Sequence, residues 1–226
     1  MNRRNDAADG TGAVRVLRCG SDAVLVEVED AEQVQRLHAA LRDAPPTGVG
    51  ELVPAARTVL VRYDPAATDW QRLRAAVTAL PLRDAPPAGA AGAVLIPVRY
   101  EGPDLAEVAR LAGLTEEQVV ERHTAGQYRV AFCGFAPGFA YLTGLDPRLR
   151  LPRRAEPRTR VPAGAVAVAD EYTGVYPRTS PGGWHLLGTT DLPLWDTAAD
   201  PPTRLLPGTS VRFVAVEGTG NEGSRP

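Results

Sequence analysis

The N-terminal third of the chain combines short apolar runs with two stretches of helical spacing. Apolar–polar alternation followed by an apolar run predicts two strands within residues 13–29, and two more strands are predicted at 49–54 and 57–63. The order strand–strand–helix–strand–strand–helix predicts a small α+β sandwich of the ferredoxin-like kind over residues 12–82, with both helices on one face of a sheet. The apolar positions that predict the helices are Val34, Leu37 and Leu41 in the first, and Trp70, Leu73, Val77 and Leu80 in the second.

The rest of the chain has a different pattern. A stretch rich in Pro, Gly and Ala at 83–92 predicts a linker, and a strand at 93–100 opens a second domain. Two short helices follow, and the second begins with Thr115 as N-cap and Gln118 as its capping-box partner. Beyond them, short strands between Gly and Pro turns are typical of a closed β-barrel or a folded sheet, and we expect a barrel over residues 93–217. These strands are predicted at 127–133, 164–169, 173–176, 184–189 and 210–216.

Composition limits the classes of function. Of the 226 residues, 44% are hydrophobic and 23% are charged, and a net charge of -2 gives no overall attraction to nucleic acid. Cys19 and Cys133 show no Cys/His metal-ligand spacing, so no metal site is expected. We see no secretory signal and no apolar run of about 18 residues, so we expect a cytoplasmic protein without a membrane span. Polar, Gly-rich segments at 1–11 and 218–226 predict disordered tails.

Glycine, proline, aromatic residues and arginine are concentrated between residues 132 and 190. This mixture suits a groove for an anionic small molecule or for a partner chain. The loop 134–139 lacks the Lys-Ser/Thr of a P-loop. Either its amides hold a carboxylate, or it is a tight turn that packs two Phe residues into the barrel, and the sequence leaves both open. The next segment either binds carboxylate or phosphate or is a solvated basic loop, and its arginines are Arg153, Arg154, Arg158 and Arg160.

His123 is the leading catalytic candidate and is predicted to end the second helix of the barrel domain. A histidine at this place can shuttle protons near neutral pH. The alternative is a structural histidine that hydrogen-bonds the last carbonyls of the helix. Trp184 either packs against the barrel or offers a stacking surface. Ser180 lacks the motif of a nucleophile elbow, so it is not expected to be a nucleophile.

Several motifs occur in an order that resembles one protein family. They are His123-Thr124, Gly134–Phe139 with Tyr141-Leu142, Pro152–Arg154, Pro157-Arg158, Val161–Gly164, Thr173–Pro177, Ser180–Trp184 and Pro207-Gly208. With these motifs the chain resembles the allophanate hydrolase subunit 1 family, which includes KipI-type proteins and the B subunits of bacterial 5-oxoprolinases. The similarity runs from residue 13 to residue 216 and is densest between 123 and 190. His185 departs from the pattern, because relatives often carry Gln or Arg there.

The resemblance implies a fold, a function and partners. The barrel domain is expected to be cyclophilin-like. The expected function is that of a component, inactive alone, of an ATP-dependent cyclic-amide hydrolase of the 5-oxoprolinase type, which opens 5-oxoproline to glutamate. The implied partners are an allophanate hydrolase subunit 2 (KipA-type) protein and a LamB/YcsF-type protein, with ATP bound by the complex, and a homodimer is a further possibility. Two alternatives stay open: a KipI-type inhibitor of a sensor histidine kinase, and a carboxyltransferase-type or allophanate hydrolase component.

The motifs and their chemistry together define a candidate site. His123 is expected to be catalytic. The residues expected to bind substrate are Gly134, Phe135, Pro137, Gly138, Phe139, Arg153, Arg158, Tyr176, Ser180, Gly182, Gly183 and Trp184.

Overall fold

The computed structural model describes residues 14–81 and 92–217. The chain divides into two compact units, Met1–Ala85 and Pro86–Pro226. The predicted tails at 1–11 and 218–226 lie outside the described residues, as does the predicted linker at 83–92 except for Gly92.

The first unit is one antiparallel sheet covered by two helices. Its core includes Leu37, Leu41 and Leu73 from the helices together with Val24 and Val59 from the sheet, so both helices lie on the same face. Each helix begins at an aspartate whose side chain accepts hydrogen bonds from backbone amides of the first turn. The sheet order is β1-β2-β4-β3. The elements are β1 (Arg15–Cys19), β2 (Ala23–Glu27), α1 (Ala31–Asp43), β3 (Val49–Pro54), β4 (Thr58–Tyr63) and α2 (Trp70–Ala79).

This element order confirms the predicted strand–strand–helix–strand–strand–helix arrangement, and the more specific ferredoxin-like assignment stays a prediction.

The second unit contains a seven-stranded sheet of order β12-β9-β10-β7-β6-β13-β5 and a separate two-stranded ribbon of β8 and β11. Arg99 and Thr189 exchange two backbone hydrogen bonds of 2.9 Å, which join the end of β5 to the end of β12. The elements are β5 (Val94–Val98), α3 (Leu105–Ala112), α4 (Glu116–Ala125), β6 (Tyr128–Cys133), β7 (Ala140–Thr143), a 3-10 turn (Pro147–Leu149), β8 (Arg158–Val161), β9 (Ala165–Ala169), β10 (Tyr172–Val175), β11 (Ser180–Gly182), β12 (His185–Thr189) and β13 (Ser210–Ala215).

The sheet is therefore a nearly closed barrel, as the strand pattern predicted. Its cyclophilin-like character stays a prediction. The capping box of α4 is confirmed, since the Thr115 side chain accepts from the Gln118 amide at 3.2 Å and the Gln118 side chain accepts from the Thr115 amide at 3.0 Å.

Strand β9 is buried on both faces, and this places the candidate site. Val166 and Val168 point into the barrel core. Ala165, Ala167 and Ala169 point the other way, into a second apolar layer. The side chains that cover them form what we call the outer layer: Phe139, Val161, Tyr176, Trp184 and Leu186. The small alanine side chains leave room for these larger ones.

Candidate functional site

Aromatic rings form most of the outer layer. Phe139 lies at the centre, with ring centroids 5.1 Å from Tyr141, 5.2 Å from Tyr176 and 5.4 Å from Trp184. These pairs meet edge to face, which is a favoured aromatic geometry. Phe135 adds a ring 5.4 Å from Phe139, but its side chain is exposed, at 59% of its full area. The layer is therefore closed on the barrel side and reaches the surface at Phe135.

The loop 134–139 is a tight turn that uses much of its own hydrogen-bonding capacity. The amides of Gly134, Ala136 and Phe139 donate to carbonyls within the loop at 3.2, 2.7 and 3.0 Å. Of the two alternatives left open by the sequence, this geometry favours the turn over a carboxylate cradle. Phe135 has a φ of 66°, a left-handed conformation that is costly for a bulky residue.

One detail of the tight-turn prediction is wrong. Phe139 packs into the outer layer, whereas the Phe135 side chain is exposed and touches that layer only with its ring edge. Gly138 also needs to be glycine, since a Cβ there would lie 2.8 Å from the Cβ of Trp195. Pro137, which lies between Phe135 and Gly138 in the loop, is exposed. The loop thus presents Phe135 and Pro137 outward.

The arginines after the loop are not equivalent. The Arg158 guanidinium donates to both carboxylate oxygens of Asp104, at 2.8 and 2.7 Å, so the fork predicted to bind substrate is used within the chain. Arg154 donates to Asp104 at 2.7 Å and to Glu107 at 3.0 Å. Arg153 differs, because its side chain is 60% exposed and its ion pair with Asp170 is long, at 3.5 Å. Arg153 therefore keeps a guanidinium that a ligand can reach, and Arg160 is exposed as well.

Asp104 was not predicted from the sequence. An aspartate directly before a helix normally indicates an N-cap, yet its side chain makes no capping hydrogen bond here. Burial alone would raise the pKa of Asp104, but hydrogen bonds from Arg158 and the Leu186 amide, with the charges of Arg158 and Arg154, outweigh burial and lower it. Asp104 is thus a buried carboxylate that stays ionised.

Tyr176 joins the outer layer to the segment around Gly182. Its ring is buried, and a Cβ at Gly182 would lie 2.3 Å from its hydroxyl oxygen. Burial raises the pKa of Tyr176, while the Trp184 amide and the charges of Arg153 and Arg158 act in the opposite direction. These two arginines are therefore close enough to act on the hydroxyl.

The remaining predicted residues lie at the same edge of the layer. The Gly183 carbonyl accepts from the Arg154 amide at 2.8 Å, which ties residues 151–158, which we call the arginine segment, to this turn. Trp184 is buried, so its ring packs in the layer, as one of the two alternatives proposed. Ser180 makes only a long contact of 3.5 Å to the Arg178 carbonyl.

His123 lies apart from this region. It is fully buried in the barrel, with Nδ1 2.7 Å from the Tyr100 hydroxyl and Nε2 2.9 Å from Thr173 Oγ1. Because the Thr173 hydroxyl donates to the Ala167 carbonyl at 3.0 Å, it accepts from Nε2–H, and Nδ1 accepts from Tyr100. Burial lowers the pKa of His123 to about 3, so the ring is neutral.

The structure therefore separates His123 from the other candidates. Thr173 faces His123, and the next residue, Gly174, faces the outer layer, since a Cβ there would lie 3.3 Å from Phe139 and from Trp184. The catalytic role of His123 stays a prediction that this geometry does not support. The structural alternative fits better, though its details differ: the Tyr128 hydroxyl, rather than the imidazole, donates to a helix carbonyl, that of His123, at 2.8 Å.

Over 14–81 and 92–217, no group of three or more His, Cys, Asp and Glu side chains is arranged to hold a metal ion. The loop 134–139 and the pair Arg154 and Arg158 do not fit a triphosphate, because three loop amides and both guanidinium groups have partners within the chain. None of the described helices has the length and apolarity that a bilayer crossing requires.

The second unit thus combines a nearly closed barrel with an aromatic outer layer and an exposed arginine, Arg153. Residues 14–205 match the model of the carboxyltransferase domain, subdomain C and D, and the chain belongs to this family. The crystal structure of TTHA0988 superposes with a TM-score of 0.72 at 41% identity, covering 95% of this chain and 42% of that one.

Two curated relatives are both B subunits of 5-oxoprolinase by name. The one from Escherichia coli O157:H7 is 57% identical over 122 residues, which are 53% of this chain and 56% of the relative. The one from Bacillus subtilis strain 168 is 48% identical over 126 residues, 54% of this chain and 52% of the relative. The matches thus span little more than half of these relatives' length. They confirm the resemblance to the 5-oxoprolinase B-subunit family.

Proposed function

We propose that this chain is the B subunit of an ATP-dependent 5-oxoprolinase in the cytoplasm. The complex would open the ring of 5-oxoproline to give glutamate, together with an allophanate hydrolase subunit 2 (KipA-type) protein and a LamB/YcsF-type protein. The observation that carries the proposal is the name shared by the relatives at 57% and 48% identity. The family model, which matches residues 14–205, supports it.

In this proposal the outer layer and Arg153 form one wall of the substrate site. 5-Oxoproline is a flat five-membered lactam with one carboxylate. The exposed ring of Phe135 offers the lactam an apolar face, and Arg153 offers the carboxylate a guanidinium fork. The Tyr176 ring lies 6.2 Å from that of Phe135 by centroids, and the charge of Arg153 acts to lower the pKa of Tyr176.

The partner proteins would supply the acid–base groups and the ATP site that this wall lacks. His123, the predicted catalytic histidine, is fully buried and bonded to Tyr100 and Thr173, so the acid–base groups of the reaction would come from another chain. ATP would likewise bind outside this chain, because its loop amides and paired arginines do not fit a triphosphate. Inactivity of the isolated chain follows from both points.

We also propose the finer fold assignments. The order β2-β4-β3, with α1 after β2 and α2 after β4, matches a ferredoxin-like sandwich in which β1 occupies the place of the last strand. The nearly closed barrel of the second unit is consistent with a cyclophilin-like domain.

The test is reconstitution. The chain would be co-purified with the two proposed partners, and glutamate release from 5-oxoproline would be measured with and without ATP and with each protein omitted in turn. We expect release only from the complete set with ATP. A complete, assembled complex that releases no glutamate would refute the proposal.

Arg153→Gln tests the substrate wall within the same assay. It should raise KM for 5-oxoproline by about ten-fold with little change in kcat, because a carboxylate contact is made in both ground state and transition state. Arg212→Gln, which removes an exposed arginine from β13, is the matched control and should leave KM unchanged. Equal effects of the two substitutions would remove Arg153 from the site.

A second candidate is a component of a carboxyltransferase, which the family's own description favours. It predicts transfer of a carboxyl group to a substrate instead of ring opening, so ATP-dependent glutamate release distinguishes the two. The KipI-type alternative predicts binding to a sensor histidine kinase, and a kinase inhibition assay with the purified chain would detect it.

A further inference from the structure

Asp104 connects three parts of the second unit that are distant in sequence. Its Oδ1 accepts from Arg154 Nη1 and from Arg158 Nη2, each at 2.7 Å. Its Oδ2 accepts from Arg158 Nη1 and from the Leu186 amide, each at 2.8 Å. These four hydrogen bonds occupy the acceptor positions of one carboxylate, and the residue is only 2% exposed. The start of α3, the arginine segment and β12 therefore meet at one buried charge.

The arginine segment depends on this contact for its shape. Residues 151–157 contain no helix or strand. Arg154 and Arg158 tie the segment to Asp104 through their side chains, and the Arg154 amide ties it to Gly183 at 2.8 Å. Arg153 directly precedes Arg154, and its exposed guanidinium makes one long contact with Asp170. Arg153 thus lies between two anchored neighbours: the Pro152 carbonyl is 3.0 Å from His185 Nε2, and Arg154 is tied to Asp104 and to Gly183.

We propose that Asp104 is a positioning residue for substrate binding, acting through Arg154 and Arg158 to hold Arg153 beside the outer layer. The inference rests on the proposed function, in which Arg153 receives the carboxylate of 5-oxoproline. Asp104 itself does not touch the substrate. Its loss would leave two guanidinium groups without this carboxylate, and the segment that carries Arg153 would lose its side-chain anchor on the C-terminal side of Arg153, while the contacts of the Leu151 and Pro152 carbonyls would remain.

The kinetic test uses Asp104→Asn in the complete three-protein complex with 5-oxoproline and ATP. We expect KM to rise by about ten-fold and kcat to stay within about two-fold of wild type. Asp146→Asn is the matched control, because Asp146 also accepts from an arginine, Arg122 at 2.8 Å, and from a backbone amide, Arg148 at 2.8 Å, outside the arginine segment. A merely structural role for Asp104 would give the two variants the same KM.

A second readout needs no activity. Brief trypsin digestion of the full-length chain, followed by mass spectrometry, reports cleavage after Arg153 and Arg154 relative to cleavage after Arg129 in β6. Asp104→Asn should raise this ratio by about ten-fold, since the anchored segment opens locally, and Asp146→Asn should leave it unchanged.

Arg158→Gln is the second variant if Asp104→Asn does not fold, because it removes the bidentate pair and keeps the contacts of Asp104 with Arg154 and Leu186. It should raise both KM and the cleavage ratio. Unchanged values of both in the folded variants would overturn the positioning role. If the wild-type complex releases no glutamate, the proposed function fails, and the cleavage ratio still decides whether Asp104 holds the segment.

Discussion

The buried histidine makes a quantitative prediction about acid stability. The chain has three histidines, and His123 is fully buried with both ring nitrogens bonded to side chains. Replacing it by glutamine keeps a donor and an acceptor of similar reach and removes the titrating group. We expect His123→Gln to fold at neutral pH, with a loss of about 1–3 kcal/mol in the free energy of unfolding from imperfect hydrogen bonds.

The pH dependence follows from burial. The pKa of His123 falls from 6.5 to about 3 in the folded state because burial penalises the charged ring. Between these values the unfolded chain binds a proton that the folded chain does not, so stability falls as the pH falls. Each pH unit costs about 1.4 kcal/mol, and acidification from 6.5 to about 5 therefore removes about 2 kcal/mol. His123→Gln should lack this loss.

The assay is urea denaturation at about pH 7.5, 6 and 5, followed by tryptophan fluorescence. Of the three tryptophans, Trp70 lies in the first unit, so a Trp70→Phe background restricts the signal to Trp184 and Trp195 in the second. His38→Gln in the same background is the matched control, because it removes a histidine from the other unit. If wild type and His123→Gln lose the same free energy of unfolding on acidification, His123 is not the buried neutral ring described here.

Three further substitutions test the outer layer and its anchor by urea or thermal unfolding. Gly182→Ala should lower the free energy of unfolding by about 1–3 kcal/mol, because the new Cβ would lie 2.3 Å from the hydroxyl of the buried Tyr176. Gly183→Ala, whose Cβ would have its nearest neighbour at 3.6 Å, should lower it by less than about 0.5 kcal/mol. Equal losses in the two variants would contradict this account of Gly182. Phe135→Gly should be more stable than Phe135→Ala by about 1 kcal/mol, since only glycine relieves the left-handed backbone, and should still lower the activity of the complex. Asp104→Asn should lower the free energy of unfolding by about 3 kcal/mol near neutral pH. The difference in this free energy between wild type and variant should close as the pH falls below about 4, because the wild-type carboxyl then takes up its proton. A difference that stays constant with pH would show that Asp104 is not ionised.

Local patterns carried most of the fold prediction. The helices of the first unit follow from apolar spacing, and the capping box of α4 is visible in the letters Thr115 and Gln118. The strands that the pattern did not predict are β7, β8 and β11, which have four, four and three residues. Such short strands carry too little alternation to be distinguished from turns, and their pairing depends on contacts that are remote in sequence: β7 pairs with β6 and β10, and β8 pairs with β11.

The site was harder to predict because its decisive contacts are remote in sequence. Arg153, Arg154 and Arg158 have the same side-chain chemistry, and only the structure shows which of the three guanidinium groups is exposed and which are paired with Asp104. The choice is made by Asp104, which is 50 residues from Arg154 and 54 from Arg158. A carboxylate that far away gives no signal in the local pattern around the arginines.

Strand β10 explains why His123 and the outer layer belong to different parts of the molecule. Adjacent residues of a strand point to opposite faces, so Thr173 faces the barrel interior while Gly174 faces Phe139 and Trp184. In the interior, polar groups must find hydrogen-bond partners among themselves. A chain of hydrogen bonds runs from Tyr100 through His123 and Thr173 and ends at the Ala167 carbonyl.

The outer face of the barrel differs from the interior, because its side chains must be held rigidly and yet be presented to a ligand or partner. Its rings rest on strands that are packed on both sides, which gives a rigid base to whatever binds there. The loop at Phe135 and Pro137 and the segment around Arg153 project from that base. The Phe135 ring contacts Phe139 and Tyr176 edge to face, and Arg153 pairs with Asp170 at 3.5 Å. Binding by a substrate or a partner protein therefore acts on these two elements, and substitutions that release them should weaken binding while leaving the barrel intact.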